Sequence, residues 1–136
     1  MESIGNSAES VAQAFVRAIN RQDVDRLTAL MSPSHRFIDS RGKVIEGREK
    51  MREGWADYFR MVPDYSVAIE ELYPSDPIAL MLGMASGTYS SDGKLHPENR
   101  WQTPVAIRVL VEEGLVAEWR VYADNEPIRK VMTTGK

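Results

Sequence analysis

The sequence has no cysteine, which excludes disulfides, thiolate metal sites and cysteine nucleophiles together. It has only two histidines, His35 and His96. They keep no ligand spacing with each other, so neither a metal centre nor a cofactor is expected. No run approaches the ~20 apolar residues that span a bilayer. The opening MESIGNSAES has neither a basic start nor an apolar stretch, so no signal peptide is expected either. A strong charge of one sign is missing too. Seventeen basic against 20 acidic residues leave a net charge of −3, which gives a nucleic acid no global attraction. The densest basic stretch, Arg48, Lys50 and Arg52, is interleaved with Glu46, Glu49 and Glu53. Pairs such as Glu46–Lys50 at i,i+4 make it a solvated helix face, not a phosphate track. A soluble, cytoplasmic domain is the expectation.

What is present is enough to build a core. The chain has 136 residues, 43% of them hydrophobic, so one domain can fold without staples. No repeat or linker divides it, and one domain over 1–136 is expected, with its ordered core at about 7–132. Ser7 can cap a first helix whose apolar positions Val11, Ala12, Phe15, Val16 and Ile19 keep helical spacing. Asp23 caps a second, with Val24, Leu27, Leu30 and Met31 inward and Ser32-Pro33 as the stop. His35–Ser40 reads as the first strand. From Arg48 a third helix puts Met51, Trp55, Tyr58, Phe59 and Val62 on one stripe and ends before Pro63-Asp64.

The remainder is mainly strand: Tyr65–Tyr73, Ile78–Tyr89, Arg100–Val111 and Leu115–Ala123, with a closing helical turn at Glu126–Met132. Glu112-Glu113-Gly114 makes a tight hairpin and SSDGKLHPEN a longer connection. Helices first and antiparallel strands later predict an α+β fold, one curved, mostly antiparallel sheet wrapped around three N-terminal helices. Alternation puts Trp101, Thr103, Val105, Ile107, Val109 and Val111 on the face toward the helices, and likewise Leu115, Ala117, Trp119, Val121 and Ala123. The strand PIALMLGMASG is apolar on both faces, which asks for cover on the outer side. A second copy docking sheet to sheet supplies it, so a homodimer through the outer sheet face is expected.

One acid stands out. In RFIDSRGKVIEGREKM, His35, Phe37 and Asp39 share a face of the first strand, so an inward Phe37 brings the Asp39 carboxylate inward. The plainer reading is that Asp39 opens the Asp-Ser-Arg-Gly turn and accepts backbone N–H bonds there. His35 starts ~13 Å from Asp39 along an extended strand, too far for a dyad, and is expected against the second helix or at the rim. Arg120 and Asp124 face out.

The segments AINRQDVDRLTALMSP, FIDSRGKVIEGREKM and GLVAEWRVYADNEPIRKVM, in this order and spacing, resemble the SnoaL-like branch of the nuclear transport factor 2-like superfamily. The resemblance runs from about Val11 to Met132. It implies kinship with ketosteroid isomerase, limonene epoxide hydrolase and polyketide cyclases: a cone of helices and sheet around an apolar pocket, commonly dimeric. In the isomerase pattern the acid ending the first strand moves a proton, and Asp39 takes that place. The isomerase's two oxyanion donors fall on Phe15 and Ile107, which donate nothing. Such a loss costs on the order of 10²–10³ in rate for each donor. The hydrolase triad falls on Val105, Ile107 and Val121 and is absent. The relatives' WRDYFD reads WRVYAD here, and the acid and histidine pair of the polyketide cyclases finds no match.

The residues that would line such a pocket are Phe15, Ile19, His35, Phe37, Trp55, Tyr58, Phe59, Trp101, Thr103, Ile107, Trp119 and Val121. Tyr58 and Thr103 are its polar handles. Two readings stand. One is an enzyme without metal or cofactor that moves a proton through Asp39 on a small apolar molecule. The other is a non-catalytic dimeric module that binds such a molecule or serves assembly.

Overall fold

The computed structural model describes residues 5–134. Its elements are α1 (Ala8–Arg21), α2 (Val24–Ala29), β1 (Met31–Ile38), β2 (Val44–Glu46), α3 (Arg48–Met61), β3 (Ser66–Ser75), β4 (Ile78–Thr88), β5 (Arg100–Glu112), β6 (Leu115–Ala123) and α4 (Glu126–Thr134). A single 3-10 turn, Pro97–Asn99, precedes β5. The six strands form one sheet in the order β2-β1-β6-β5-β4-β3. Every neighbouring pair is antiparallel except β1 with β6. This is the α+β fold expected, with one strand more than the five read from the sequence.

Local chemistry sets the first helices. Ser7 Oγ accepts the Ser10 N–H at 3.1 Å, and Asp23 Oδ1 accepts the Arg26 N–H at 3.0 Å. Each satisfies an orphan donor of a first helical turn. All five apolar positions expected inside α1 are buried. The end of α2 differs from expectation. The helix stops at Ala29, and Met31, Ser32 and Pro33 belong to β1. Pro33 fits there because the register of β1 on β6 slips between Met31 and Arg36, so its missing N–H interrupts no regular ladder.

Two further differences have local causes. The short β2, Val44–Glu46, pairs back onto Arg36–Ile38, and three residues are too few to show a period. In β6 the register on β5 slips between Leu110 and Val111. A bulge at that point puts two residues opposite one and reverses the alternation beyond it. Val116 is therefore fully buried while Ala117 is not, the opposite of the simple alternation, and from Trp119 onward the expected phase returns.

The core is one cluster between the helices and one face of the sheet. α1 packs on β3, β4 and β5, and α3 on β1 and β2. A side-chain clip fixes α1. The Asn20 amide accepts the Val67 N–H at 2.8 Å and donates to the Val67 carbonyl at 2.9 Å. Gly83 permits a close backbone approach between β4 and β3. A Cβ there would lie 2.0 Å from the Ala68 carbonyl oxygen.

Candidate functional site

Between α3 and the sheet lies a cavity of about 280 Å³. Ile19 of α1, Met51, Gly54, Trp55 and Tyr58 of α3, and Tyr65 just before β3 form one side. The sheet supplies Phe37, Val67, Ala85, Trp101, Thr103, Val105, Ile107, Trp119, Val121 and Ala123. Ile45 of β2, Ser40, and Asn125 and Ile128 at α4 complete it. Asp39 is the only charged side chain on the wall among the described residues.

Of the residues read as pocket-lining, the structure brings Ile19, Phe37, Trp55, Tyr58, Trp101, Thr103, Ile107, Trp119 and Val121 to this wall. It does not bring Phe15, His35 or Phe59 there. Phe15 is fully buried behind the wall, with its ring 4.4 Å from Trp119 and 6.2 Å from His35. Phe59 is buried, with its ring 5.5 Å from Trp55. Their inward phase is right, and all three are buried, but none of them lines the hollow.

His35 is not at the rim. It is fully buried, and its Nδ1 lies 2.8 Å from the Val116 carbonyl. A carbonyl can only accept, so Nδ1 carries the proton and Nε2 is left bare, without a partner among the described residues. Burial pushes its pKa below the ordinary imidazole value, against the opposing pull of the Val116 hydrogen bond.

Asp39 follows both readings at once. β1 ends at Ile38, so the acid sits in the turn rather than in the strand. Its Oδ1 accepts the N–H groups of Arg41 and Lys43, each at 2.9 Å. The same residue lines the cavity, and its Oδ2 bonds no other group among the described residues. Asn125 Nδ2 donates to Ser40 Oγ at 2.6 Å and ties the start of α4 to this turn. Thr103 donates to the Asp124 carbonyl at 3.0 Å.

The aromatic wall is continuous. Tyr65 stands 4.9 Å from Tyr58, 6.4 Å from Trp55 and 6.1 Å from Trp101, ring centroid to ring centroid. Desolvation pushes the Tyr65 phenol up to about 12. It pushes Tyr58 up as well, helped by the neighbouring Tyr65. Tyr65 was missed on the sequence, although it alternates in phase with the inward Val67. Ile45 was missed because β2 is too short to display a face; Ile128 was missed although it shares a face of α4 with Val131.

Among the described residues no three His, Asp or Glu side chains gather as a metal site. No helix among them is long and apolar enough to cross a membrane.

A curved sheet wrapped on helices around an apolar hollow defines the class: a cystatin-like, nuclear transport factor 2-like α+β cone. Within it, the SnoaL-like domain matches residues 12–119, and the chain belongs to that family. No curated protein matches it in sequence. Solved structures do match in shape. A cystatin-fold protein of Novosphingobium aromaticivorans is 25% identical, over 86% of this chain and 98% of its own, with a TM-score of 0.75. A Shewanella denitrificans protein described as a SnoaL-like polyketide cyclase is 13% identical, over 93% and 97%, with a TM-score of 0.80. An epoxide hydrolase of M. tuberculosis, of the limonene epoxide hydrolase type, is 19% identical, over 94% and 90%, with a TM-score of 0.76.

Proposed function

We propose that this SnoaL-like chain binds a small apolar molecule in the cavity between α3 and the sheet. The observation that carries the reading is a hollow of about 280 Å³ whose wall is almost wholly aliphatic and aromatic. Burying an apolar ligand against such a wall is favourable at roughly 25 cal/mol per Å² of apolar surface removed from water. The names of two structural relatives, a polyketide cyclase and an epoxide hydrolase, fit a cavity that takes carbon skeletons.

Proton transfer by Asp39 is the catalytic form of the same reading. One carboxylate oxygen is fixed by two turn amides, the other bonds no group among the described residues, and the residue lines the cavity. That is the arrangement of a positioned base. The isomerase's donor positions remain without donors in this chain, since Phe15 and Ile107 carry only carbon side chains. Binding without turnover is therefore the leading form, and the Asp39 reaction stands second.

The test is thermal unfolding across a panel of apolar mono- and bicyclic compounds. A ligand at 100 times its Kd should stabilise by roughly 2.7 kcal/mol, or about 10 °C in Tm for a chain of this size. If no compound moves the Tm, the binding reading fails. Asp39→Asn, whose Oδ1 still accepts both turn amides, separates the two forms. It should leave Tm and affinity unchanged and abolish any turnover found.

We also propose that two copies pair through the outer face of the sheet, where Tyr73, Leu80 and Tyr122 are exposed and Leu82 and Met84 half-buried.

A further inference from the structure

The outer face of the sheet gathers three arginines about one acid. Glu118 of β6 stands opposite Arg36 of β1, and Arg120, two residues on, stands opposite Ile38 of β1 and Arg108 of β5. Arg36 Nη2 reaches Glu118 Oε1 at 2.5 Å, and Arg108 Nη1 reaches Oε2 at 2.8 Å. Both carboxylate oxygens are thereby taken, and Arg120 has no share in them. It makes no ion pair among the described residues. Its guanidinium carbon lies 4.9 Å from the Tyr122 ring centroid. Its Nε is buried with no acceptor among those residues, whereas its two Nη atoms are not closed off in that way. Glu46, opposite Arg36 on β2, is exposed and in no ion pair among them either. Like charges directly opposite on antiparallel strands repel. A half-covered cation without an acid also gives up hydration with nothing in return. Tyr122 offers Arg120 a ring face but no negative charge.

We propose that Arg120, together with the uncommitted nitrogens of Arg108 and Arg36, forms a binding site for a phosphate group on the outer face of the sheet, on the side away from the cavity. The guanidinium fork matches oxyanions and stays charged at any working pH. Arg36 and Arg108 each give one nitrogen to Glu118 and keep the others, and their side chains are 48% and 39% exposed. They can therefore meet an anion from solvent while still holding the acid. Glu118 is a positioning residue in this arrangement. It fixes two of the three forks beforehand, which lowers the ordering cost of binding. An oxyanion between Arg108 and Arg120 replaces their repulsion by two attractions. A planar carboxylate has two oxygens, enough for one fork, whereas a tetrahedral phosphate has oxygens to share among three. The inference is independent of what the cavity holds.

The experiment follows thermal unfolding of the full chain at pH 7.5 in sodium phosphate and in sodium chloride of equal ionic strength. Beyond its Kd, each tenfold of phosphate should raise the Tm by about 4 °C, with no such climb in chloride. Phosphate is also excluded from protein surfaces and stabilises folds in general, so the variants decide. Arg120→Leu removes the cation that has no acid. It should melt higher than the natural chain in chloride and lose the phosphate climb. Arg120→Gln, which keeps a polar side chain, should lose the climb as well and serves if the leucine disturbs the fold. Arg17→Leu, which removes an exposed arginine of α1, should keep it in full. Climbs of one size in the natural chain and all three variants are general exclusion and overturn the proposal. A Tm that rises with chain concentration and not with phosphate overturns it too, and makes an acid of a second copy the partner of Arg120. Calorimetric titration with inorganic phosphate and with phenyl phosphate then separates the sources. Tighter binding of the second assigns an ester, tighter binding of the first the free ion, and heat from neither removes the site.

Discussion

His35 is fully buried on β1, with its ring stacked on Phe15 and Nδ1 bonded to the Val116 carbonyl. Burial favours the neutral ring, so its pKa lies below the unfolded value near 6.5. The sign follows from proton counting. Below pH 6.5 the unfolded chain binds a proton that the folded chain refuses, so stability falls as pH drops. The contribution is whole above the unfolded pKa and is lost on descending toward the folded one, at up to ~1.4 kcal/mol per pH unit. Urea unfolding at pH 7.5, 6.5 and 5.5 should show this slope. The exposed acids whose pKa is lowered, Asp92 and Glu126, act below that window. His35→Asn keeps a donor toward Val116 and should be less stable at pH 7.5, yet lose the slope. A variant as pH-sensitive as the natural chain would place the titration elsewhere. At this same scale the sequence was legible for Asp39 but ambiguous. Inward acid and turn acid were rival readings; the turn bonds are made, and the same residue stands on the cavity wall.

The elements that could be read from sequence are those long enough to repeat a period. α1 and α3 show theirs over 14 residues each, and the 13 residues of β5 alternate without a break from Arg100 to Glu112. Failures sit where a period is interrupted or never completed: the slip inside β6, the three residues of β2, and Pro33, which reads as a stop but lies in a strand. The cavity is a tertiary object made of such pieces, so its sheet and α3 walls were foreseen while its β2 and α4 edges were not. Gly54 offers a test on α3. It lines the cavity, and a Cβ there would meet only Met51 side-chain atoms at 3.6 Å, an ordinary contact. Alanine should therefore stabilise α3 by about 0.5–1 kcal/mol through helix propensity alone. Gly54→Leu, with the same backbone gain, should occupy the hollow and abolish the thermal shift given by bicyclic ligands. Retained ligand stabilisation in a folded Gly54→Leu variant would show that the ligand sits somewhere other than this cavity.

For the whole molecule the open question is the outer face of the sheet. α4 does not cover it, because Ile128 and Val131 of that helix pack toward the core and Ile128 reaches the cavity. The face carries the apolar row Leu80, Leu82 and Met84 on β4, with Tyr73 and Tyr122 to either side. It also carries Glu118, only 7% exposed, held by Arg36 at 2.5 Å and Arg108 at 2.8 Å. An acid so nearly covered on a nominally outer face marks ground that is already partly desolvated, the character of an interface centre with a charged frame. A two-fold pair of sheets would set each apolar row against its copy. Sedimentation at tens of micromolar should then give about twice the chain mass of 15.4 kDa. Leu80→Arg is the discriminating change, since Leu80 pairs across the sheet with Arg108. The new cation would crowd that arginine in both copies, whereas a glutamate could find a partner there and mask the effect. Leu80 is 38% exposed, so its replacement should cost the single chain little and should give the monomer mass. The cavity lies on the opposite face of the sheet, and ligand stabilisation should survive in that monomer. A natural chain sedimenting at 15.4 kDa removes the dimer and leaves the cavity reading untouched. A monomeric Leu80→Arg variant that no longer responds to ligand would instead make the second copy part of the site.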